Sequence, residues 1–272
     1  MSLVQSSKKL FKKHLTPSKY TFVENKYRFV RKYIFKIALP LSPLFQNDLV
    51  TLATLYGTDK WNSHWYAQHY QKHFYPLRQK KLNILEIGIG GYEDPQAGGE
   101  SLRMWKNYFP KSVIYGIDIY DKKAHEEDRI KIFQGSQEDE SFLKELVAIS
   151  GGFDIIIDDG SHINEHVIKT FNILFPLLNN GGIYVVEDTQ TSYWPTYGGN
   201  SDDLNSSKTM MSMFKNLVDC LNHEEFIKPG YSPSYFDKHI IAMHFYHNMV
   251  FLYKGDNNEG SNIVKNNMWP IS

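Results

Sequence analysis

The sequence predicts an α/β fold built on one mainly parallel sheet, and three observations support this prediction. From residue 83 onward, short apolar runs of strand length alternate with helical patterns, which is the spacing of strand–helix–strand units. Several of these runs end in glycines or acidic residues. Residues 240–254 instead have the pattern of a tight hairpin, which predicts an antiparallel edge. A chain of 272 residues is long enough for one large domain of this kind.

Five runs are short, apolar and bounded by turn residues, as buried parallel strands are. They are NILEIGI (83–89), VIYGIDI (113–119), RIKIF (129–133), FDIIID (153–158) and GGIYVVED (181–188). The segment IIAMHFYHNMVFLYK (240–254) adds two antiparallel strands joined at His247-Asn248. The sequence therefore predicts a seven-stranded, mostly parallel sheet with an antiparallel C-terminal hairpin.

Four intervening segments place apolar residues three or four positions apart, which is the spacing of one buried helix face. They are residues 100–109, 142–149, 166–178 and 206–223. Helices at these positions would cover both faces of the sheet. Ligands of such sheets bind beyond the carboxyl ends of the strands, so the functional residues are expected there.

The first 45 residues are strongly basic, with ten lysines and arginines and one acid, Glu24. We therefore divide the sequence into a basic accessory segment, 1–45, and a main domain, 46–272. The basic segment could contact a membrane surface or an anionic partner, or it could be a solvated helix docked on the acidic remainder. The formal net charge of the whole chain is +0, so nothing global points to a nucleic-acid partner.

Cys220 is the single cysteine, which excludes a disulfide framework and favours the cytoplasm. The most apolar N-terminal stretch, residues 33–45, is interrupted by Lys36, Pro40 and Pro43. It is too short to span a bilayer and lies too far from the terminus for an ordinary signal peptide.

The first strand runs into a glycine turn that includes Gly88 and Gly90, and glycines let a ligand approach the backbone closely. The turn lacks the G-x-G-x-x-G pattern that binds a pyrophosphate, and Glu93 and Asp94 would repel one. Asp118 ends the second strand, where a carboxylate suits the two hydroxyls of a ribose. A nucleoside without phosphates, such as S-adenosylmethionine, fits both features.

Further candidate contacts follow the third and fifth strands. Ser136 or Gln137 could bond to an adenine edge, although either could be an ordinary turn residue. After the fifth strand, Tyr193 and Trp194 offer aromatic faces that could stack on a sugar ring, or that could anchor the loop.

Two pairs of acids end the fourth and fifth strands: Asp158 with Asp159, and Glu187 with Asp188. If the two strands are neighbours, four carboxylates converge, which is unfavourable unless some protonate or a cation binds. Carboxylate oxygens suit a hard divalent ion, Mg²⁺ or alternatively Ca²⁺ or Mn²⁺. His162 follows closely and is a candidate general base that would remove the proton of a metal-oriented hydroxyl.

Five stretches together resemble the metal-dependent sugar O-methyltransferases of macrolide biosynthesis, the mycinamicin and macrocin (tylosin-type) enzymes. They are LEIGIGG, GGESLRMWKNYFP, GIDIYDK, IDDGSH and VVEDTQTSYWP. The resemblance covers roughly residues 50–255. It implies the Rossmann-like class I fold of the S-adenosylmethionine-dependent methyltransferases, and it makes 46–272 a catalytic domain.

The resemblance also implies roles for individual residues. Asp159, Glu187 and Asp188 would hold the metal, and His162 would be the base, with Asp159 beside it. The predicted cofactor contacts, including those named above, are Glu86, Gly88, Gly90, Asp118, Ser136, Gln137, Asp158, Thr58 and Lys60. The last two belong to the YGTDK segment and would close the methionine end.

Two other functions explain part of the pattern. A nicotinamide-dependent oxidoreductase would need the G-x-G-x-x-G turn and leaves the four acids without a role. A non-catalytic cofactor-binding scaffold would use the basic segment to recruit a partner. The favoured expectation is a Mg²⁺-dependent O-methyltransferase of the cytoplasm. It would act on a sugar hydroxyl of a glycosylated natural product, as in antibiotic biosynthesis, or of another glycoconjugate, and it could be a homo-oligomer.

Overall fold

The computed structural model of the protein describes residues 39–270. Most of the predicted basic segment 1–45 lies outside the described residues; the part inside them forms a short 3-10 helix at Leu39–Phe45. The boundary between this segment and a catalytic domain 46–272 therefore stays a prediction. Among the described helices, none has the length and apolar character needed to cross a lipid bilayer.

The described residues form two compact units. The first contains the chain up to Lys81 together with Gly98–Ser112, and the second contains Leu82–Ala97 and the chain from Val113 onward.

The first unit contains three α-helices around an aromatic core. They are α1 (Leu49–Tyr56), α2 (Ala67–Phe74) and α3 (Glu100–Tyr108). Asp48 caps α1 by accepting a hydrogen bond from the backbone N–H of Thr51, which satisfies one exposed donor of the first turn. In the core, the rings of Tyr70 and Trp105 meet edge to face at 4.9 Å between centroids. This geometry suits the quadrupoles of aromatic rings.

The second unit contains one seven-stranded sheet, as predicted. Its strands are β1 (Asn83–Ile87), β2 (Val113–Asp118), β3 (Ile130–Gln134), β4 (Phe153–Asp158), β5 (Leu178–Glu187), β6 (Ile240–Tyr246) and β7 (Met249–Lys254). The spatial order is β3-β2-β1-β4-β5-β7-β6, with β7 antiparallel to both of its neighbours and the other pairs parallel. The predicted hairpin turn is confirmed, with Asn248 at φ 62°.

Four α-helices accompany the sheet in this unit. They are α4 (Glu140–Ser150), α5 (Asn164–Leu177), α6 (Met210–Leu217) and α7 (Tyr235–His239). Residues of α4, α5 and α6 share a buried core with the strands, in which the ring of Phe171 packs edge-on against Tyr184 of β5 and Phe214 of α6. The predicted helix 206–223 is shorter than expected, because Thr209 caps a start at Met210 and a 3-10 helix follows at Asp219–Glu225.

The strand order brings the site together. After β1 the chain moves to β2 on one side, and after β4 it moves to β5 on the other side. Such a reversal opens a crevice at the carboxyl ends of the two central strands. The residues that follow β1, β2, β4 and β5 therefore share one edge of the sheet.

Lys254 is a buried cation that stabilises the end of α5. Its Nζ donates to the carbonyl oxygens of Phe175, Pro176 and Leu178 at 3.3, 2.8 and 2.5 Å. We expect Lys254→Met to lower the free energy of unfolding by about 1–3 kcal/mol, because carbonyls at a helix end lose a charged donor. Urea unfolding measures this, with exposed Lys238→Met as the matched control. Equal midpoints for the two variants would contradict the role.

Candidate active site

The glycine turn after β1 is fixed against the end of β4. Gly88 has φ 88°, and a Cβ atom there would lie 2.2 Å from the carbonyl oxygen of Asp159. The backbone N–H of Asp159 in turn donates to the carbonyl of Ile87 at 3.0 Å. Only glycine allows this approach, so the first turn and the acid-bearing loop form one unit. Gly90, at φ 80°, continues the same turn.

Asp118 ends β2 and is held by two backbone contacts. Its two carboxylate oxygens accept hydrogen bonds from the backbone N–H groups of Ile89, at 2.9 Å, and Tyr120, at 3.0 Å. The carboxylate is thereby held beside the glycine turn. Each oxygen has a second lone pair with which it can accept a further hydrogen bond, as from a ribose hydroxyl.

The loop that follows the glycine turn is tied to the segment after β2. The buried Nζ of Lys122 donates to the carbonyl oxygens of Asp94, at 2.6 Å, and Ala97, at 3.2 Å. A ring nitrogen of His125 lies 3.1 Å from the same oxygen of Ala97. The sequence does not predict this anchor, because the partners are backbone atoms 25 and 28 residues away.

Asp158 is not a member of the group that could hold a metal ion, which is described below. It is buried, and it accepts hydrogen bonds from Gln137 Nε2 at 3.3 Å and from the Tyr184 hydroxyl at 3.4 Å. Burial raises the pKa of Asp158 to about 6, against the opposing effect of His162. Its partners therefore differ from those of Asp159, which follows the strand.

Gln137 supports the loop between β4 and α5. Besides its bond to Asp158, its Nε2 donates to Thr170 Oγ1 at 3.1 Å, and its Oε1 accepts from the backbone N–H of Ser161 at 2.8 Å. These partners show that Gln137 supports the loop, and a contact of Gln137 with adenine stays a prediction. Ser136 is half-buried on the preceding turn and stays a predicted contact.

Asp159, His162 and Asp188 form the one group among the described residues whose side chains could together hold a metal ion. One ligand atom from each lies within 4.8 Å of the other two. His162 Nε2 is 3.9 Å from Asp159 Oδ1 and 3.7 Å from Asp188 Oδ2. The three side chains are between 19% and 23% exposed, so the group is open to a ligand.

The structure therefore brings together two of the four acids predicted to converge. Glu187 is 2% exposed at the end of β5 and is not a member of this group. Asp188 has φ 54° and His162 has φ 57°, so both residues adopt the left-handed region. Non-glycine residues are strained in this region, so neighbouring residues must hold both turns in place.

The loop after β5 carries Tyr193 and Trp194, which are 38% and 47% exposed. The Trp194 ring lies 5.9 Å from the Tyr197 ring. The loop is held by the fully buried Asn164 of α5, whose Nδ2 donates to the carbonyls of Thr191 and Tyr197 at 3.1 and 2.9 Å. The two aromatic side chains are therefore presented at the surface by a loop with a fixed base.

Three further predicted cofactor contacts, besides Asp158 and Gln137, are buried. Glu86 lies within β1 and is fully buried opposite Gly116 of β2. Thr58 and Lys60 belong to the first unit, where Thr58 Oγ1 lies 4.0 Å from Met104 Sδ and Lys60 is fully buried. Their contacts with a cofactor stay predictions.

Comparison with characterised proteins identifies a group of close relatives. The chain is 51% identical over 215 residues to the demethylmacrocin O-methyltransferase of Streptomyces fradiae. It is 47% identical over 215 residues to the mycinamicin VI 2''-O-methyltransferase of Micromonospora griseorubida. Each match covers 78% of this chain and 54% of the relative. No protein-family model matches the sequence.

A solved structure shares the fold. The MycE methyltransferase of the mycinamycin biosynthetic pathway, determined in complex with Mg and SAH, superposes with a TM-score of 0.76 at 47% identity. The match covers 78% of this chain and 55% of that protein. A related structure of MycE, with a TM-score of 0.75, also contains mycinamycin VI.

The present chain spans about half the length of the relatives that it matches. Within that span, the chain has the class I methyltransferase fold that the sequence predicts. These relatives confirm the resemblance drawn from the sequence, and they do not favour the nicotinamide-dependent alternative. The chain belongs to the family of the macrocin- and mycinamicin-type sugar O-methyltransferases.

Proposed function

We propose that the protein is an S-adenosylmethionine-dependent and Mg²⁺-dependent O-methyltransferase that acts on a sugar hydroxyl. The observation that carries this proposal is the Asp159–His162–Asp188 group at the carboxyl ends of two adjacent parallel strands. Neither a dinucleotide site nor a scaffold needs two carboxylates and an imidazole in this arrangement. Relatives named as sugar O-methyltransferases support the same reaction.

The donor set fits a hard divalent ion. Asp159 and Asp188 supply carboxylate oxygens, which are the ligands that Mg²⁺ prefers in proteins, and partial exposure leaves room for water and acceptor. Glu187 is proposed as a third protein ligand from the resemblance alone. A bound Mg²⁺ would lower the pKa of an acceptor hydroxyl and fix its orientation.

His162 is proposed as the general base. Its Nε2 lies between the two carboxylates, so it would stand next to a hydroxyl held there. The imidazole would accept the hydroxyl proton as the oxygen attacks the methyl group, and the adjacent carboxylates would stabilise the resulting imidazolium. Asp159 would thus serve both as a ligand and as a partner of the base.

The cofactor would lie along the ends of β1 and β2. S-adenosylmethionine supplies an electrophilic sulfonium methyl group. Asp118 would accept hydrogen bonds from the ribose, and Gly88 and Gly90 would let the nucleoside approach the backbone. Ser136 is proposed near the adenine, and Glu86, Thr58 and Lys60 are proposed at the other end of the cofactor.

The acceptor is proposed to be a glycosylated small molecule, the class named for the relatives. Tyr193 and Trp194 would offer apolar ring faces to its sugar. A cytoplasmic location is proposed from the single cysteine. Contact of the segment 1–45 with a membrane or an anionic partner, and assembly as a homo-oligomer, stay predictions.

Methyl transfer tests the proposal directly. The full-length chain is incubated with methyl-labelled S-adenosylmethionine, Mg²⁺ and either mycinamicin VI or demethylmacrocin, with the matching sugar-free aglycones as controls. We expect label in a sugar-bearing acceptor and loss of transfer on chelation. Binding of NAD in place of S-adenosylmethionine, or transfer that survives exhaustive chelation, would overturn the proposal.

Removal of the Asp118 carboxylate should weaken cofactor binding. We expect Asp118→Ala to raise the Kd for S-adenosylmethionine roughly 10- to 100-fold, because charge-assisted hydrogen bonds are worth about 1.5–3 kcal/mol. Isothermal titration measures this Kd, with the exposed Asp128→Ala as control. Asp118→Asn keeps an acceptor for the Ile89 N–H. If this variant loses as much cofactor affinity as Asp118→Ala, the loss is caused by the missing charge. An unchanged Kd in Asp118→Ala would remove this residue from the cofactor site.

A further inference from the structure

Three polar side chains next to the candidate active site form a continuous hydrogen-bonded chain. The hydroxyl of Ser161 lies 3.0 Å from His166 Nδ1, and His166 Nε2 lies 3.1 Å from Glu138 Oε2. Ser161 immediately precedes His162, His166 lies on the first turns of α5, and Glu138 lies between β3 and α4. The chain therefore joins the turn of the proposed base to two other parts of the unit.

The donors and acceptors of this chain have one consistent direction. The backbone N–H of Ile163 donates to Ser161 Oγ at 3.3 Å, which leaves the hydroxyl proton of Ser161 for His166 Nδ1. His166 then carries its own proton on Nε2 and donates it to the Glu138 carboxylate. In this arrangement each donor is used once, and the contacts match the Nε2–H tautomer of the His166 imidazole.

The turn at His162 needs such support. A non-glycine residue in the left-handed region is strained, and this conformation persists only when its surroundings hold it there. Here both neighbours of His162 are held: the N–H of Ser161 by Gln137 Oε1, and the N–H of Ile163 by Ser161 Oγ. The Ser161 hydroxyl can keep that position because His166 and Glu138 orient it.

We propose that Glu138, His166 and Ser161 are positioning residues that hold the left-handed turn at His162 and thereby fix the imidazole beside Asp159 and Asp188. This inference rests on the proposed function for its effect on turnover. The three residues hold no ligand and transfer no proton in the reaction; they act on the base through the backbone.

Kinetics and histidine NMR test the inference together. Ser161→Ala and Glu138→Ala are compared with wild type, with Ser150→Ala and Glu140→Ala as matched controls on α4. We expect kcat to fall about 10- to 100-fold in the first pair, since a small misplacement of a catalytic group has this effect. The KM for S-adenosylmethionine and the Kd for Mn²⁺ should stay within about twofold of wild type. Glu138→Gln keeps an acceptor for His166 Nε2–H and should recover most of the lost rate.

The NMR measurement does not depend on turnover. Imidazole ¹⁵N signals are assigned by their loss in His162→Ala and His166→Ala, and we expect wild-type His166 to show the Nε2–H tautomer. The His162 signals should move in Ser161→Ala and not in Ser150→Ala. Unmoved His162 signals, or an unchanged kcat in an active enzyme, would overturn the positioning role. If the wild type transfers no methyl group, the proposed function fails, while the NMR signals still decide whether the chain holds His162.

Discussion

His162→Ala is expected to lower kcat by about 10²–10⁴-fold, the range that a general base contributes. The physical reason is local: Nε2 of His162 is the one imidazole nitrogen placed within 4 Å of both Asp159 and Asp188 in the described chain. Without it, the acceptor proton would have to leave to water. Radiolabelled methyl transfer to a glycosylated acceptor measures the change.

Cofactor affinity should separate this effect from a general loss of structure. The Kd for S-adenosylmethionine should stay within about twofold of wild type, because removing a base changes only interactions made in the transition state. His247→Ala, an exposed histidine in the β6–β7 turn, is the control and should keep full activity. Turnover of His162→Ala at the wild-type rate would exclude this residue as the base.

The sheet could be predicted from the sequence because its strands are continuous apolar runs. The prediction for β4 has the observed limits, Phe153–Asp158, and the His247-Asn248 turn lies where the hairpin requires it. The helix predicted at 206–223 was wrong in extent. Apolar residues continue at helical spacing through that segment. This spacing does not indicate the residue at which the helix begins, which is set here by the cap Thr209.

The convergence of acids could be predicted in part. Parallel strands end at one edge of a sheet, so acids that follow β4 and β5 had to be near each other. The strand pattern alone does not tell which acid of each pair enters the group, whereas the resemblance named Asp159, Glu187 and Asp188, of which the group contains Asp159 and Asp188. Membership depends on the alternation of side chains at Asp158 and Asp159, and on the left-handed turn at Asp188. The role of Gln137 was left open for a similar reason. The sequence does not tell whether a turn residue contacts a ligand or a neighbouring loop, and the structure shows a contact with the loop at Ser161.

Several supporting residues give no signal in the sequence. Lys122 and Asn164 act through backbone carbonyls of distant loops, and a carbonyl has no residue type to pair with. The Ser161–His166 contact could have been suspected, since Ser161 belongs to the IDDGSH stretch and His166 follows it by five positions. Its third member, Glu138, lies 28 residues before His166 and becomes visible only in the fold.

Asp188→Asn is expected to remove most metal affinity while leaving the fold intact. Asparagine tolerates the left-handed conformation that Asp188 adopts at φ 54°, so the backbone turn should persist and only the charge is lost. The Kd for Mn²⁺ should rise roughly 10- to 100-fold, the effect of losing one charge-assisted contact of about 1.5–3 kcal/mol. Electron paramagnetic resonance of free Mn²⁺ measures this Kd.

Methyl transfer should fall with the loss of metal, and excess Mg²⁺ should restore part of it, because a weakened site can still be filled by mass action. Asp202→Asn, an exposed change in the loop after β5, is the matched control and should leave the Kd for Mn²⁺ and transfer unchanged. If Asp188→Asn instead keeps its affinity for Mn²⁺ but loses methyl transfer, Asp188 is a partner of His162 and not a metal ligand. Because Asp188 Oδ2 lies only 3.7 Å from His162 Nε2, Mn²⁺ binding and transfer must be measured on the same variant to separate these roles.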